Sequence, residues 1–153
     1  MDFTKLPPEL LARLTQTNDL KLPPPVFVDM GGEVVDIDLD KPEVVLRFPV
    51  QERYENPMGY MQGGVIATIA DNALGMLSFL VAFVNVTKEM NIRYVRPVKD
   101  ISHVVATARM VSQDEKGLLL TADVRDEAGK LLARVKSQHV FLRGDVREGM
   151  NEK

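Results

Sequence analysis

Residues 56–84 read NPMGYMQGGVIATIADNALGMLSFLVAFV, and this stretch decides the fold. From residue 63 to residue 84 it contains no proline and is apolar on nearly every helical face. A helix that is hydrophobic all round has to be buried on most of its sides. The stretch therefore predicts a long core helix at 63–84, and the rest of the chain must supply the layer that buries it.

The segments on either side of the helix indicate β-strands. Two Val- and Ile-rich segments precede it, at 26–40 and 43–50. Four segments with alternating apolar and polar residues follow it, at 86–95, 102–110, 118–124 and 131–141. A turn at 126–130 joins the last two and needs a glycine at positive φ. The order β-β-α-β-β-β-β predicts an α+β fold in which one curved antiparallel sheet wraps the helix, its last four strands forming a meander.

The chain divides into one main domain and two short extensions. Its 153 residues are the length of a single domain. Residues 1–25 contain an amphipathic segment at 4–17, predicted to form an accessory helix, followed by a proline-rich linker. Residues 26–142 form the predicted domain, and 143–153 form a polar tail.

Composition excludes several classes of function. The net charge of −3 argues against a general nucleic-acid binder, which needs a surplus of Lys and Arg. With no cysteine, the chain has no disulfides, no Cys-based zinc site and no catalytic thiolate, and two histidines offer little for a metal site. The charge-free apolar run at 73–84 has 12 residues, against about 20 for a membrane span. We therefore expect a cytoplasmic protein without a metal or a resident cofactor.

Asp71 is the only carboxylate between Glu55 and Glu89, and it lies on the apolar helix. An unpaired acid is costly to bury, so it needs either a partner or a function. Carboxylates in such surroundings serve as general bases or nucleophiles. The alternative is a structural Asp paired with Asn72 or with an arginine of the sheet.

Gly63 and Gly64 open the same helix. The first amides of a helix have no intrahelical acceptor and lie at the positive end of the helix dipole. Such donors can stabilise a developing oxyanion. The alternative is a tight turn between loop and helix.

Three motifs in this order resemble one known family. Residues 56–64 lead into a helix that carries Asp71, and residues 86–97 and 126–131 match a strand and a hairpin. Together they are similar to the hotdog-fold thioesterases, specifically the branch related to the phenylacetate-pathway acyl-CoA thioesterases. The resemblance covers residues 26–142. It implies hydrolysis of an acyl-CoA, with Asp71 as base or nucleophile and the Gly63 amide as oxyanion donor.

The resemblance assigns further roles residue by residue. Asn56 matches an amide that orients the water or the carbonyl, although Asn before proline is also an ordinary turn residue. Thr87 matches a hydroxyl near the acid, although it also suits any strand. Gln62 stands where the family has histidine, and an amide cannot take up a proton near neutral pH. If the family histidine only orients the loop, Gln62 can take its place. If that histidine takes part in the chemistry, the activity of this protein is slower or lost.

The remaining candidates concern substrate binding. Gly64 and Asn72 flank the predicted catalytic groups. Arg93 and Arg96 either contact the phosphates of coenzyme A or are solvated edge charges. Neither His103 nor His139 matches a functional residue of the family, and both are interpreted as surface or packing residues.

The spacing of Gly63 and Asp71 predicts an assembly. Eight residues of helix separate their backbones by about 12 Å, so one carbonyl cannot reach both in one chain. The site then combines Gly63 of one subunit with Asp71 of its partner, in a homodimer or a dimer of dimers.

Two other functions stay open. A hotdog dehydratase or hydratase is disfavoured because no histidine lies on the helix or its entry loop. A non-catalytic acyl-thioester binding protein is the second alternative. The resemblance implies an aromatic or medium-chain acyl group and nothing narrower.

Overall fold

A six-stranded antiparallel sheet wraps one long helix in the computed structural model, which describes Pro8, Ala12 and residues 20–82 and 84–142. Within residues 20–82 and 84–142, two helices, α1 (Pro25–Asp29) and α2 (Gly63–Val81), and a 3-10 turn at Glu52–Tyr54 accompany the sheet. The strands are β1 (Glu33–Asp38), β2 (Glu43–Pro49), β3 (Asn85–Tyr94), β4 (His103–Gln113), β5 (Gly117–Asp126) and β6 (Leu131–Phe141). The α+β architecture predicted from the sequence is confirmed.

The core lies between α2 and the concave face of the sheet. On α2 the fully buried side chains are Ile69, Ala70, Ala73, Leu74 and Leu77. They pack against alternate residues of β2, β4 and β5, which also exclude solvent. By length and composition α2 could cross a membrane, but a core helix of this kind meets the same test. Burial against the sheet accounts for its apolar sequence.

The predicted meander of four strands is wrong for β3. The strand order is β1-β2-β4-β5-β6-β3, so β3 pairs with β6 at the sheet edge and β4 pairs with β2. The link between β3 and β4 is longer than a hairpin, and the Val98 carbonyl accepts a hydrogen bond from the Met61 amide at 2.9 Å. This contact draws the link toward the loop before α2, and β4 then starts beside β2.

The predicted strand at 26–40 is wrong over its first part. Pro25–Asp29 forms α1, and β1 starts only at Glu33, after a turn with Gly31 at φ 69°. Proline suits the first position of a helix because it lacks the amide proton that would be unpaired there. Phe27, 2% exposed, anchors α1 by packing edge-on against Phe48.

Other boundaries differ only slightly from the prediction. The helix α2 ends at Val81 rather than at residue 84, where Val84 has φ 64°. The turn between β5 and β6 has Gly129 at φ 87°, as predicted. The predicted helix at 4–17 and the polar tail at 143–153 lie outside the described residues, apart from Pro8 and Ala12.

Candidate active site

Asp71 and Thr87 meet between the middle of α2 and the start of β3. The Thr87 hydroxyl donates a hydrogen bond to Asp71 Oδ1 at 3.3 Å. Asp71 Oδ2 has no partner among the residues that the structure describes. One carboxylate oxygen is therefore held while the other is available to a substrate or a water molecule.

Two expectations about Asp71 need correction. The side chain is exposed in the single chain rather than buried, so the cost of burying an acid does not apply there. It also has neither of the structural partners considered for it within residues 20–82 and 84–142. The Asn72 side chain instead donates to the Thr68 carbonyl at 2.8 Å, inside its own helix.

The N-terminus of α2 presents free backbone donors. Gly63 and Gly64 are its first two residues, and their amides have no acceptor in the described part of the chain. The backbone N–H of Gln62 donates to the Tyr54 carbonyl at 2.8 Å and so holds the loop that precedes the helix. The Gln62 side chain is exposed and makes no hydrogen bond to any described residue. Backbone contacts, rather than the side chain at position 62, orient this loop.

Tyr94 holds the same helix end, and sequence reasoning missed it. Its hydroxyl donates to the Gly63 carbonyl at 2.8 Å. A Cβ at position 63 would lie 3.2 Å from the Tyr94 ring, so glycine leaves room for this contact. In the sequence Tyr94 was only one member of an alternating strand pattern. The contact forms because β3 lies beside α2 in the fold. An alternating pattern predicts a strand but does not show which helix lies next to it.

The two helix–strand contacts fix the direction of β3 relative to α2. Tyr94, at the end of β3, meets Gly63 at the start of α2, whereas Thr87 meets Asp71 further along the helix. The helix and strand therefore run antiparallel. Gly63 and Asp71 are about 12 Å apart along the helix and stay separated within one chain.

Asn56 has the structural role expected of a turn residue. Its Oδ1 accepts hydrogen bonds from the amides of Met58 at 2.9 Å and Tyr60 at 3.2 Å. These bonds identify which side-chain atom is the acceptor. The Nδ2 group has no partner in the described ranges and remains available as a donor.

Arg93 and Arg96 lie at the Gly63 end of β3 and are exposed. Arg96 Nη1 donates to the Leu131 carbonyl at 2.8 Å, and Arg93 faces Arg134 across the sheet. Arg93 is six strand residues from Thr87, a distance of roughly 20 Å, and Arg96 lies further along the chain, beyond the end of β3.

His139 is a packing residue, 3% exposed, and it lies directly across from Thr87 in the β3–β6 pairing. Asn85 donates its side-chain protons to the carbonyls of Ser78 and Ala82, so its Oδ1 is an acceptor. His139 Nδ1, at 2.9 Å from that oxygen, must then carry the proton. Burial lowers the pKa of His139, while the nearby Asp71 carboxylate acts in the opposite direction.

A cavity of about 440 Å³ opens beside Asp71. One wall is a face of α2 and the other is the segment 20–27. Sequence reasoning missed the contribution of the segment 20–27 to this cavity, because that segment was interpreted as a linker and the start of a strand.

Comparison with protein families finds a model described as the Thioesterase superfamily, which matches residues 58–133. Acyl-coenzyme A thioesterase 13 of Homo sapiens is 28% identical over 111 residues, covering 71% of this chain and 79% of that protein. The Mus musculus protein of the same name is 26% identical over 95 residues, covering 60% and 68%.

Solved structures share the architecture. The PaaI protein of E. coli, from the phenylacetic acid degradation operon, superposes with a TM-score of 0.74 at 18% identity, covering 87% of this chain and 91% of that chain. A variant of the phenylacetic acid degradation protein PaaI from Thermus thermophilus gives a TM-score of 0.72 at 24% identity, covering 78% and 100%. At these identities the likeness concerns the fold.

Proposed function

We propose that the substrates of this protein are acyl-CoA thioesters. The premise is that the chain belongs to the thioesterase superfamily and is a hotdog-fold thioester hydrolase. The products are the free acid and coenzyme A. The observation that carries the proposal is that Asp71, held by the Thr87 hydroxyl, lies on the helix whose first amides have no acceptor among the described residues. Relatives named as acyl-coenzyme A thioesterases support the choice of substrate.

In the proposed reaction Asp71 Oδ2 takes a proton from water as the water oxygen attacks the thioester carbon. Thr87 holds Oδ1 and so orients the carboxylate. The carbonyl oxygen becomes an oxyanion and accepts a hydrogen bond from the Gly63 amide. Collapse of the tetrahedral intermediate breaks the carbon–sulfur bond, and the leaving sulfur takes the proton from Asp71. Direct attack by Asp71 as a nucleophile uses the same oxygen and stays an alternative.

The other site residues support this reaction in defined ways. Asn56 Nδ2 is a second donor for the carbonyl oxygen or the water. Arg93 and Arg96 lie at the Gly63 end, where phosphates of coenzyme A would approach if the acyl carbonyl binds Gly63. Gly64 and Asn72 border the groups that contact the substrate. The reaction needs no metal and no cofactor beyond the coenzyme A of the substrate.

Two chains are required for each proposed site, because Gly63 and Asp71 do not meet within one chain. The edge strand β3 offers a surface for pairing: ten residues long, it is mostly exposed and carries the exposed apolar side chains of Val86 and Tyr94. Unpaired strand edges readily pair with a second copy. A homodimer with two sites is therefore part of the proposal, while the dimer of dimers and the cytoplasmic location stay predictions.

The test incubates the protein with a panel of acyl-CoAs and a thiol reagent. Release of free thiol is the expected result. Substitution Gly63→Pro then removes the proposed donor: Gln62 has ψ 139°, a value that suits a residue before proline, and proline fits the first helical position. We expect kcat to fall by about 10²-fold, as for other oxyanion donors.

The matched control is Gly63→Ala, which adds a Cβ at the same place but keeps the amide proton. It should lose clearly less activity than Gly63→Pro. Hydration of an enoyl-CoA without thiol release, or acyl-CoA binding without any reaction, would contradict the proposed function.

A further inference from the structure

The cavity beside Asp71 has the size of a small-molecule site. Its volume of about 440 Å³ lies in the range of roughly 300–1,000 Å³ that is usual for ligand pockets. Asp71 borders it, so a substrate carbonyl at that carboxylate has direct access to the space. The group bonded to that carbonyl carbon is the acyl chain, which makes the chain the natural occupant.

The α2 side of the cavity becomes apolar with distance from Asp71. Gly75, Met76, Phe79 and Leu80 line it over about 8 Å of helix. Thr68 also lines the cavity, but its hydroxyl is occupied by a hydrogen bond to the Gly64 carbonyl at 2.9 Å. A hydrocarbon chain fits the part of this surface that Gly75, Met76, Phe79 and Leu80 form, since none of them has a polar side chain.

The facing side is formed by residues 20–27, which we call the N-terminal wall. Leu22 and Val26 contribute apolar side chains to it. Phe27 anchors the wall through its edge-on contact with Phe48, at 5.7 Å between ring centroids. The wall precedes residue 58, where the match to the family model begins, so it lies outside the matched region.

We propose that the N-terminal wall and the facing surface of α2 bind the hydrocarbon part of the acyl group, and that Leu22 and Val26 set the chain length the enzyme prefers. This inference rests on the proposed function. It assigns apolar acyl-CoAs of medium length as substrates in preference to short or polar ones. The specificity constant kcat/KM should rise about fourfold for each methylene that enters the cavity, until the cavity is full.

The test measures kcat/KM for butanoyl-, octanoyl- and dodecanoyl-CoA with two variants of opposite effect. Val26→Phe fills the cavity and should lower the ratio of dodecanoyl to butanoyl activity at least about tenfold, equivalent to roughly two lost methylenes. Leu22→Ala enlarges the cavity and should raise the same ratio. Damage to the fold would not move the two ratios in opposite directions.

Val28→Phe is the matched control. Val28 lies on the same short helix as Val26 and is 55% exposed, against 50% for Val26, but it does not line the cavity. Its activity ratio should equal that of the unaltered protein.

The outcomes separate this inference from the proposed function. If the unaltered protein releases thiol from acyl-CoAs but neither Val26→Phe nor Leu22→Ala changes the chain-length profile, the cavity is not the acyl site and the proposed function stands. An equal shift with Val28→Phe would also overturn the inference. If no acyl-CoA releases thiol at all, the proposed function fails, and the inference fails with it.

Discussion

At the residue scale, Asp71 is the side chain on which the proposed chemistry depends. Substitution Asp71→Asn removes the charge at nearly constant shape and should lower kcat at least about 10²-fold, the usual contribution of one acid–base group. KM should change little, because the amide donors and the cavity remain. Since Asp71 is exposed in the single chain, stability should change by no more than about 0.5 kcal/mol. Steady-state kinetics and thermal unfolding of both proteins measure these quantities.

The outcome distinguishes a catalytic from a structural Asp71. A lower melting temperature with normal turnover in the folded fraction would indicate a structural residue. Equal hydrolysis rates for Asp71→Asn and the parent protein would show that the catalytic assignment is wrong.

Gln62 is the second residue with a direct test. Its backbone holds the loop and its side chain makes no hydrogen bond in the described part of the chain. Gln62→His should therefore leave kcat within about tenfold, or 1.4 kcal/mol in activation free energy. The same acyl-CoA assay measures it. A gain of several hundredfold would mean that the present protein lacks a proton-transfer group its reaction needs.

His139 links folding stability to pH. Burial lowers its pKa in the folded state, so as the pH falls through about 6.5, the ordinary histidine pKa, the unfolded chain takes up a proton before the folded chain does. Stability should then fall as the pH falls below about 6.5, by at most about 1.4 kcal/mol per pH unit. The carboxyl groups of Asp114, Asp123 and Glu127 have lowered pKa values, so their protonation changes the folding stability only in more acidic solution.

Chemical denaturation at pH 7.5 and 5.5 tests this effect. His139→Asn retains a donor at the position of Nδ1 for Asn85 and should lose less stability between the two pH values than the parent protein. His103→Gln is the control and should keep the parent's pH dependence. Equal pH dependence in His139→Asn and the parent would contradict a role for this histidine.

At the scale of elements, α1 is held against β2 through a close approach at Gly32. A Cβ there would lie 2.8 Å from the Phe48 ring and closer still to Phe27. Gly32→Ala should therefore destabilise the fold by about 1–3 kcal/mol, as overpacking does. By contrast, a Cβ at Gly75 in α2 meets no atom of the described residues within 4 Å. Gly75→Ala should stabilise by up to about 1 kcal/mol through helix propensity.

Thermal unfolding of the two variants gives the comparison. Opposite shifts in Tm are expected for the same chemical change. A neutral Gly32→Ala would mean that α1 is not packed as described, and the N-terminal wall of the cavity would lose its anchor.

At the scale of the whole molecule, the proposed site joins two chains. We expect the protein to sediment as a dimer or larger, since Gly63 and Asp71 are too far apart within one chain. Subunit mixing tests the arrangement further. Equal amounts of Gly63→Pro and Asp71→Asn chains, unfolded and refolded together, should regain about a quarter of the parent activity, because half of the dimers are mixed and each holds one intact site.

Each variant refolded alone is the control and should stay inactive. If both functional groups acted within one chain, mixing would restore nothing. A fully active monomer at micromolar concentration would equally contradict the two-chain site.

The sequence alone determined the local elements and the family resemblance. The apolar run in α2 and the alternation in β4, β5 and β6 are periodic over neighbouring residues, so each predicts its own element and its buried face. The glycine turn at 126–130 is local in the same sense. Asp71, Gly63 and Thr87 were identified because each lies in or next to a short stretch of consecutive residues that resembles the family.

Only the tertiary structure decided which elements meet. The position of β3 at the sheet edge, the Tyr94 contact to Gly63 and the burial of His139 across from Thr87 all join residues far apart in the sequence. The same holds for the cavity between α2 and the N-terminal wall, and for the exposure of Asp71. Periodicity shows that a face must be covered but not which segment covers it, because that choice depends on the packing of all the elements together.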